Sequence, residues 1–190
     1  MNIFISGGCK NGKSSYAQNL AILQKKENSP LYYVATMEAV DLEDEERIRR
    51  HVRERDGLLF ETIECSRDII QLLTYKNKKA SFLIDSTTAL LANEMFQEGK
   101  SKKGIAKKIG IELEEILKVL DDVVIVSDYI FSDAALFFDE TCEYQKNLAY
   151  LDQVCANNCE IVLEIFYGNV IVHKGGDKFE ALMERSMHVN

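Results

Sequence analysis

Eight residues near the start of the chain constrain its fold more than any others: Gly7-Gly8-Cys9-Lys10-Asn11-Gly12-Lys13-Ser14. They fit the pattern G-x-x-x-x-G-K-[ST]. That pattern has mechanical content only when a buried strand runs into it and a helix runs out of it. Residues 2–6, built on the apolar Ile3-Phe4-Ile5, supply the strand, and a helical period begins near Lys13. Glycines allow a tight turn in which successive N–H groups point at phosphate oxygens, and the helix N-terminus adds partial positive charge. In that frame Lys13 reaches the β- and γ-phosphates, and the Ser14 hydroxyl binds Mg²⁺. By average residue usage the letters alone match about one chain in a hundred of this length. The strand and helix make a chance match rarer still. The loop therefore predicts a bound nucleoside triphosphate.

The rest of the chain repeats the alternation that the loop begins. Continuous apolar runs occur at Leu31-Tyr32-Tyr33-Val34-Ala35, Phe82-Leu83-Ile84, Val123-Val124-Ile125-Val126 and Ile161-Val162-Leu163. Short runs that are apolar on both faces suit buried parallel strands. Helical periods lie between them, at about 13–24, 44–55, 88–96, 101–120 and 134–156. Strands alternating with helices predict an α/β fold with a doubly wound, mostly parallel sheet, here of the P-loop NTPase kind. Residues 161–166 and 170–173 predict a C-terminal hairpin, with Gly168-Asn169 at its turn. The 190 residues suit one nucleotide-binding domain over 1–175, followed by a polar, partly helical tail over 176–190.

Charge and composition narrow the function classes. A net charge of −8 argues against a general nucleic-acid binder. No apolar run is long enough to cross a membrane and no signal peptide is evident, so a cytoplasmic location is expected. The basic runs at 47–53 and 100–108 read as solvated helix faces. Cys155 and Cys159 are four apart, but no second pair or nearby histidine completes a zinc site. A metal site at the phosphate loop needs a carboxylate opposite Ser14. Asp85, at the end of an apolar strand, is the first candidate, and Asp128 is the rival.

Later segments narrow the reaction. The second strand ends Tyr33-Val34-Ala35-Thr36. Asp44-Glu45-Glu46, Arg47-Ile48, His51 and Arg55 follow, then Glu61-Thr62-Ile63-Glu64, and later Asp85-Ser86-Thr87-Thr88 and Asn93. This order resembles the bifunctional adenosylcobinamide kinase/adenosylcobinamide-phosphate guanylyltransferase family of cobalamin biosynthesis, over about residues 1–168. The resemblance implies GTP as substrate, with ATP as the alternative, a cobinamide-type acceptor, and a homotrimer. It implies two reactions: phosphorylation of the acceptor's hydroxyl, then transfer of GMP to that phosphate through a guanylylated histidine. His51 stands in the histidine's position, and Arg47, Arg55 and Glu64 fall in the nucleotide site. A neutral imidazole is a competent nucleophile, and Arg47, Arg50, Arg53 and Arg55 offer charge for triphosphate oxygens. On the residues alone, His51 also reads as an ordinary surface histidine. Another P-loop small-molecule kinase, or a nucleotide-binding protein without turnover, stays open as well.

The chain departs from the family's pattern after the fourth strand. Where the family has V-S-N-E and a Gly-rich G-x-G-I-V-P loop, this chain has Val126-Ser127-Asp128-Tyr129 and then Ile130-Phe131-Ser132-Asp133-Ala134-Ala135-Leu136. No arginine lies between Arg67 and Arg185, and the later N-Q pair reads Asp152-Gln153. The change removes backbone freedom and positive charge from the 127–136 segment.

Overall fold

The computed structural model describes residues 1–8, 10–76, 79–97, 100–130 and 139–187. Its strands are β1 (Ile3–Gly7), β2 (Leu31–Ala35), β3 (Glu61–Glu64), β4 (Ser81–Asp85), the short β5 (Phe96–Gln97) and β6 (Lys100–Ser101), β7 (Val123–Asp128), β8 (Ile161–Phe166) and β9 (Asn169–Lys174). Seven of them form one sheet in the order β3-β2-β4-β7-β1-β8-β9, and β5 and β6 pair apart from it. All neighbours in the large sheet run parallel except β9, which returns antiparallel from β8. The apolar runs thus become interior strands, covered on both faces as parallel strands require.

Two cores lie on the two faces. One packs Phe82, Ile84, Val123 and Ile125 against α3 (Thr87–Met95), α4 (Ile105–Val119) and α5 (Asp139–Asn158). The other packs Ile3, Ile5, Val124 and Val126 against α1 (Lys13–Gln24) and α6 (Gly176–Met187). Residues 176–190, set apart in sequence as a polar tail, contain α6, whose Leu182 is buried in this second core. The helix α2 (Leu42–Glu54) contributes to neither core.

Several boundaries differ from the sequence reading. The segment Glu61–Glu64 is an edge strand, and Ile69–Tyr75 forms a 3-10 helix. Ser101 does not open a helix: it belongs to β6, and α4 starts only after Gly104. The hairpin turn sits one residue earlier than expected. Tyr167 and Gly168 take φ of 47° and 78°, the double positive φ of a two-residue hairpin turn, and Asn169 pairs with Phe166. Lys108, read as part of a solvated basic face, lies 2.6 Å from both Asp68 and the buried Glu94. Residues 131–138, the bulk of the altered segment and the expected start of the last long helix, lie outside the described residues, as does Cys9.

Candidate functional site

The phosphate loop is fixed by the strands on either side of β1. On one flank, the Tyr129 N–H after β7 donates to the Gly7 carbonyl at 2.7 Å. On the other, the Asn11 side chain donates to the Ile165 carbonyl of β8 at 2.5 Å. A Cβ at Gly7 would lie 2.6 Å from that same carbonyl oxygen, so the close approach needs glycine. Gly12, at φ 86°, turns the chain into α1, whose first residue is Lys13. The Lys13 side chain is buried. Its ammonium donates to the Gly8 carbonyl at 3.0 Å and meets the Asp128 carboxylate at 2.5 Å.

Asp128 ends β7, and β7 lies between β1 and β4. That placement sets the rival carboxylate directly on the loop lysine, with Asp85 one strand further out. The Asp85 carboxylate accepts a hydrogen bond from the Tyr33 hydroxyl at 3.0 Å, and the Arg55 guanidinium lies 3.5 Å above the Tyr33 ring. Asp85 and Asp128 both line a cavity of about 700 Å³ at the C-terminal ends of β2, β4 and β7. Ligand sites in open α/β sheets gather at that edge.

The helix α2 walls the cavity on the solvent side. Asp41 caps it by accepting from the Asp44 N–H at 2.9 Å, and Glu43, Asp44 and Glu45 in the first turn complement its dipole. Asp44, Arg47, Ile48 and His51 share one stripe, spaced three and four residues apart, and face the cavity with Arg55 just beyond the helix. Glu64 lines it from the end of β3. Of the four arginines offered by sequence, Arg47 and Arg55 line the cavity, whereas Arg50 and Arg53 do not.

Sequence reading missed the frame that holds these walls. Arg67 forks onto Glu38 at 2.5 and 2.7 Å, and Ser66 donates to the same carboxylate at 2.5 Å. Those bonds, the Ser66 hydroxyl first, hold the Glu38 carboxyl below its ordinary range. The Asn93 side chain donates to the Thr36 carbonyl at 2.6 Å, tying α3 to the end of β2. Ser127 donates to Asp152 at 2.6 Å. Burial pushes the Asp152 carboxyl up to about 6; the Ser127 hydroxyl opposes that rise, and the charge of Asp128 adds to it. These pairs are 25 to 57 residues apart in sequence, and no local pattern announces them.

Cys155 and Cys159 are free and buried, and burial raises both thiols, Cys159 to about 12. Among the described residues no three His, Cys, Asp or Glu side chains gather into a metal cage. Among the described residues no helix is long and apolar enough to cross a membrane.

A family model described as cobinamide kinase / cobinamide phosphate guanyltransferase matches residues 3–172. The chain belongs to this family. Membership makes it a nucleotide-binding transferase of cobalamin biosynthesis. A search of curated protein sequences finds no match. Among solved structures, one described as an ATPase domain is similar at 14% identity, covering 93% of this chain and 77% of that one, with a TM-score of 0.55. A KaiC-like protein from the archaeon Pyrococcus horikoshii OT3 is similar at 15% identity, covering 91% and 78%, with a TM-score of 0.50. At such identities the likeness concerns the fold, a P-loop NTPase sheet, and agrees with the strand order here.

Proposed function

We propose that this protein phosphorylates a cobinamide-type acceptor and then transfers GMP from GTP to the new phosphate through His51. The observation that supports the reading is the shared cavity. His51 and Arg47 face it from α2, and Asp128 joins it to the buried ammonium of Lys13. His51 and Asp128, the ion-pair partner of the loop lysine, therefore line one space of about 700 Å³.

In the first step an acceptor hydroxyl oxygen attacks the γ-phosphorus. A new O–P bond forms, the β–γ bridge breaks, the nucleoside diphosphate leaves, and the hydroxyl proton departs to a base or to water. Lys13 and the backbone N–H groups of the loop stabilise charge on the phosphate oxygens. In the second step a ring nitrogen of His51 attacks the α-phosphorus of GTP. An N–P bond forms and pyrophosphate leaves. An oxygen of the acceptor phosphate then displaces the histidine, making a phosphoanhydride and freeing the ring. Arg47, Arg55 and Glu64 surround the nucleotide in this pose.

Ser14 and Asp85 would hold Mg²⁺, with Asp128 close by. Their hard oxygen donors fit that ion, which is held by one or two protein oxygens together with substrate phosphates and water. When bound, the ion neutralises charge on the transferring group.

The direct test is product formation. Purified protein supplied with cobinamide, GTP and Mg²⁺ should yield first the phosphorylated acceptor and then its guanylylated form, separable by mass. Steady GTP loss with no change in the acceptor would overturn the assignment of substrate.

A further inference from the structure

Phe166 and Tyr167 occupy the tip of the β8–β9 hairpin. They are 54% and 86% exposed and belong to neither core. Their rings pair edge to face, with centroids 4.6 Å apart. An edge-to-face pair leaves ring faces open. Exposed aromatic area of this size on a strongly acidic chain is unfavourable unless something covers it.

The tip is tied to the phosphate loop. Ile165, the residue before Phe166, accepts the Asn11 hydrogen bond at 2.5 Å, and β8 runs beside β1 with Ile165 level with Gly7. The two flanks of the loop differ in chemistry. On the β7 flank lie Asp128, the Lys13 ammonium and the cavity with His51. On the β8 flank lies the aromatic pair. A loop lysine engages the β- and γ-phosphates. A triphosphate whose terminal groups meet Lys13 on the β7 flank extends its nucleoside toward the β8 flank.

We propose that Phe166 and Tyr167 form a stacking platform for the nucleobase of the phosphoryl-donor nucleotide. The proposal rests on the phosphate-loop reading and adds where the base binds. Every base has a π-face, so a platform that works by stacking tolerates adenine and guanine alike. Guanylyl transfer needs the α-phosphorus near His51, on the other flank, and so uses a second pose in which the base leaves the platform.

The test is calorimetric titration of GTP, ATP and inorganic tripolyphosphate, each with Mg²⁺, into the wild type and the Phe166→Ala/Tyr167→Ala variant. The expected result is a loss of about tenfold or more in affinity for both nucleotides. Tripolyphosphate should bind both proteins equally, and Tyr167→Phe alone should keep nucleotide affinity, because stacking does not need the hydroxyl. Parallel loss of tripolyphosphate would make the hairpin tip a mere support of the loop and overturn the platform. Unchanged nucleotide affinity would overturn it too, and a shift in sedimentation of the variant would then assign the aromatic pair to contact with a second copy of the chain. A wild type that binds neither nucleotide nor tripolyphosphate would sink the phosphate-loop reading itself, and the platform with it.

Discussion

The phosphate loop sits between two buried strands, whereas α2, which carries His51, buries none of its described side chains. The loop is held by Gly7 against β8, by Asn11, and by a lysine buried against Asp128. The helix is held by its cap, by an Arg49–Glu45 pair one turn apart, and by Arg55 on Tyr33. The contrast teaches which half of the site is built into the core and which half rests on it. Elements with few buried contacts open at low free-energy cost. The chemistry assigned to the loop should therefore resist mutation of α2, and that assigned to α2 should be the more easily lost.

The largest effect should come from breaking the loop. Lys13→Ala removes the cation proposed to stabilise the transferring phosphoryl group, and nucleotide turnover should fall by about 10²–10³ or more. Initial rates with saturating nucleotide check this, and turnover within a few-fold of wild type would contradict the loop mechanism. His51→Ala sharpens the comparison from the other side. Guanylyl transfer should stop while acceptor phosphorylation continues within about threefold, because the substitution removes the proposed nucleophile and little packing.

Arg55→Ala tests the anchor of α2. Arg55 is 9% exposed and stacks on Tyr33, so its loss should cost about 1–2 kcal/mol in urea denaturation and weaken guanylyl transfer more than phosphorylation. Equal losses in both reactions would mean that α2 and the loop are one rigid unit.

A further prediction concerns Asp152, on the loop side. Its carboxyl is raised to about 6 from 3.8, so the folded state favours the protonated form. That contribution to stability is complete below about pH 4 and is lost as pH rises through about 6. Asp152→Asn keeps an acceptor for Ser127 and removes the charge. The variant should match the wild type near pH 4 and exceed it by about 1–2 kcal/mol at pH 7.5, after discounting for solvent screening. A constant difference across that range would contradict the titration of Asp152. The smallest effect should come from Arg50→Ala and Arg53→Ala, which do not line the cavity and should change stability and both activities by less than about 0.5 kcal/mol.

The comparison also explains what could be read from sequence. The loop and the sheet were legible because continuous apolar runs and glycine chemistry are local signals; α1 begins at Lys13 as the motif requires. The stripe of Asp44, Arg47, Ile48 and His51 was legible as family spacing, but helical period does not by itself separate Arg47 from Arg50, three residues on. The strand β3 was not legible as a strand because its side chains, Glu61-Thr62-Ile63-Glu64, are mostly exposed at the sheet edge and carry no apolar run. The Lys13–Asp128 pair and the fork of Arg67 on Glu38 depend on strand order, which no local pattern contains.

The central claim is that the exposed helix brings a nucleophile to a core-built phosphate site. Its most direct test is incubation with Mg²⁺ and GTP labelled at the α-phosphate, followed by acid treatment of the denatured protein. The account predicts label that is covalent and acid-labile in the wild type, absent in His51→Ala, and absent when the label is on the γ-phosphate. α-Label retained by His51→Ala, or no label on a wild type that binds GTP, would contradict it.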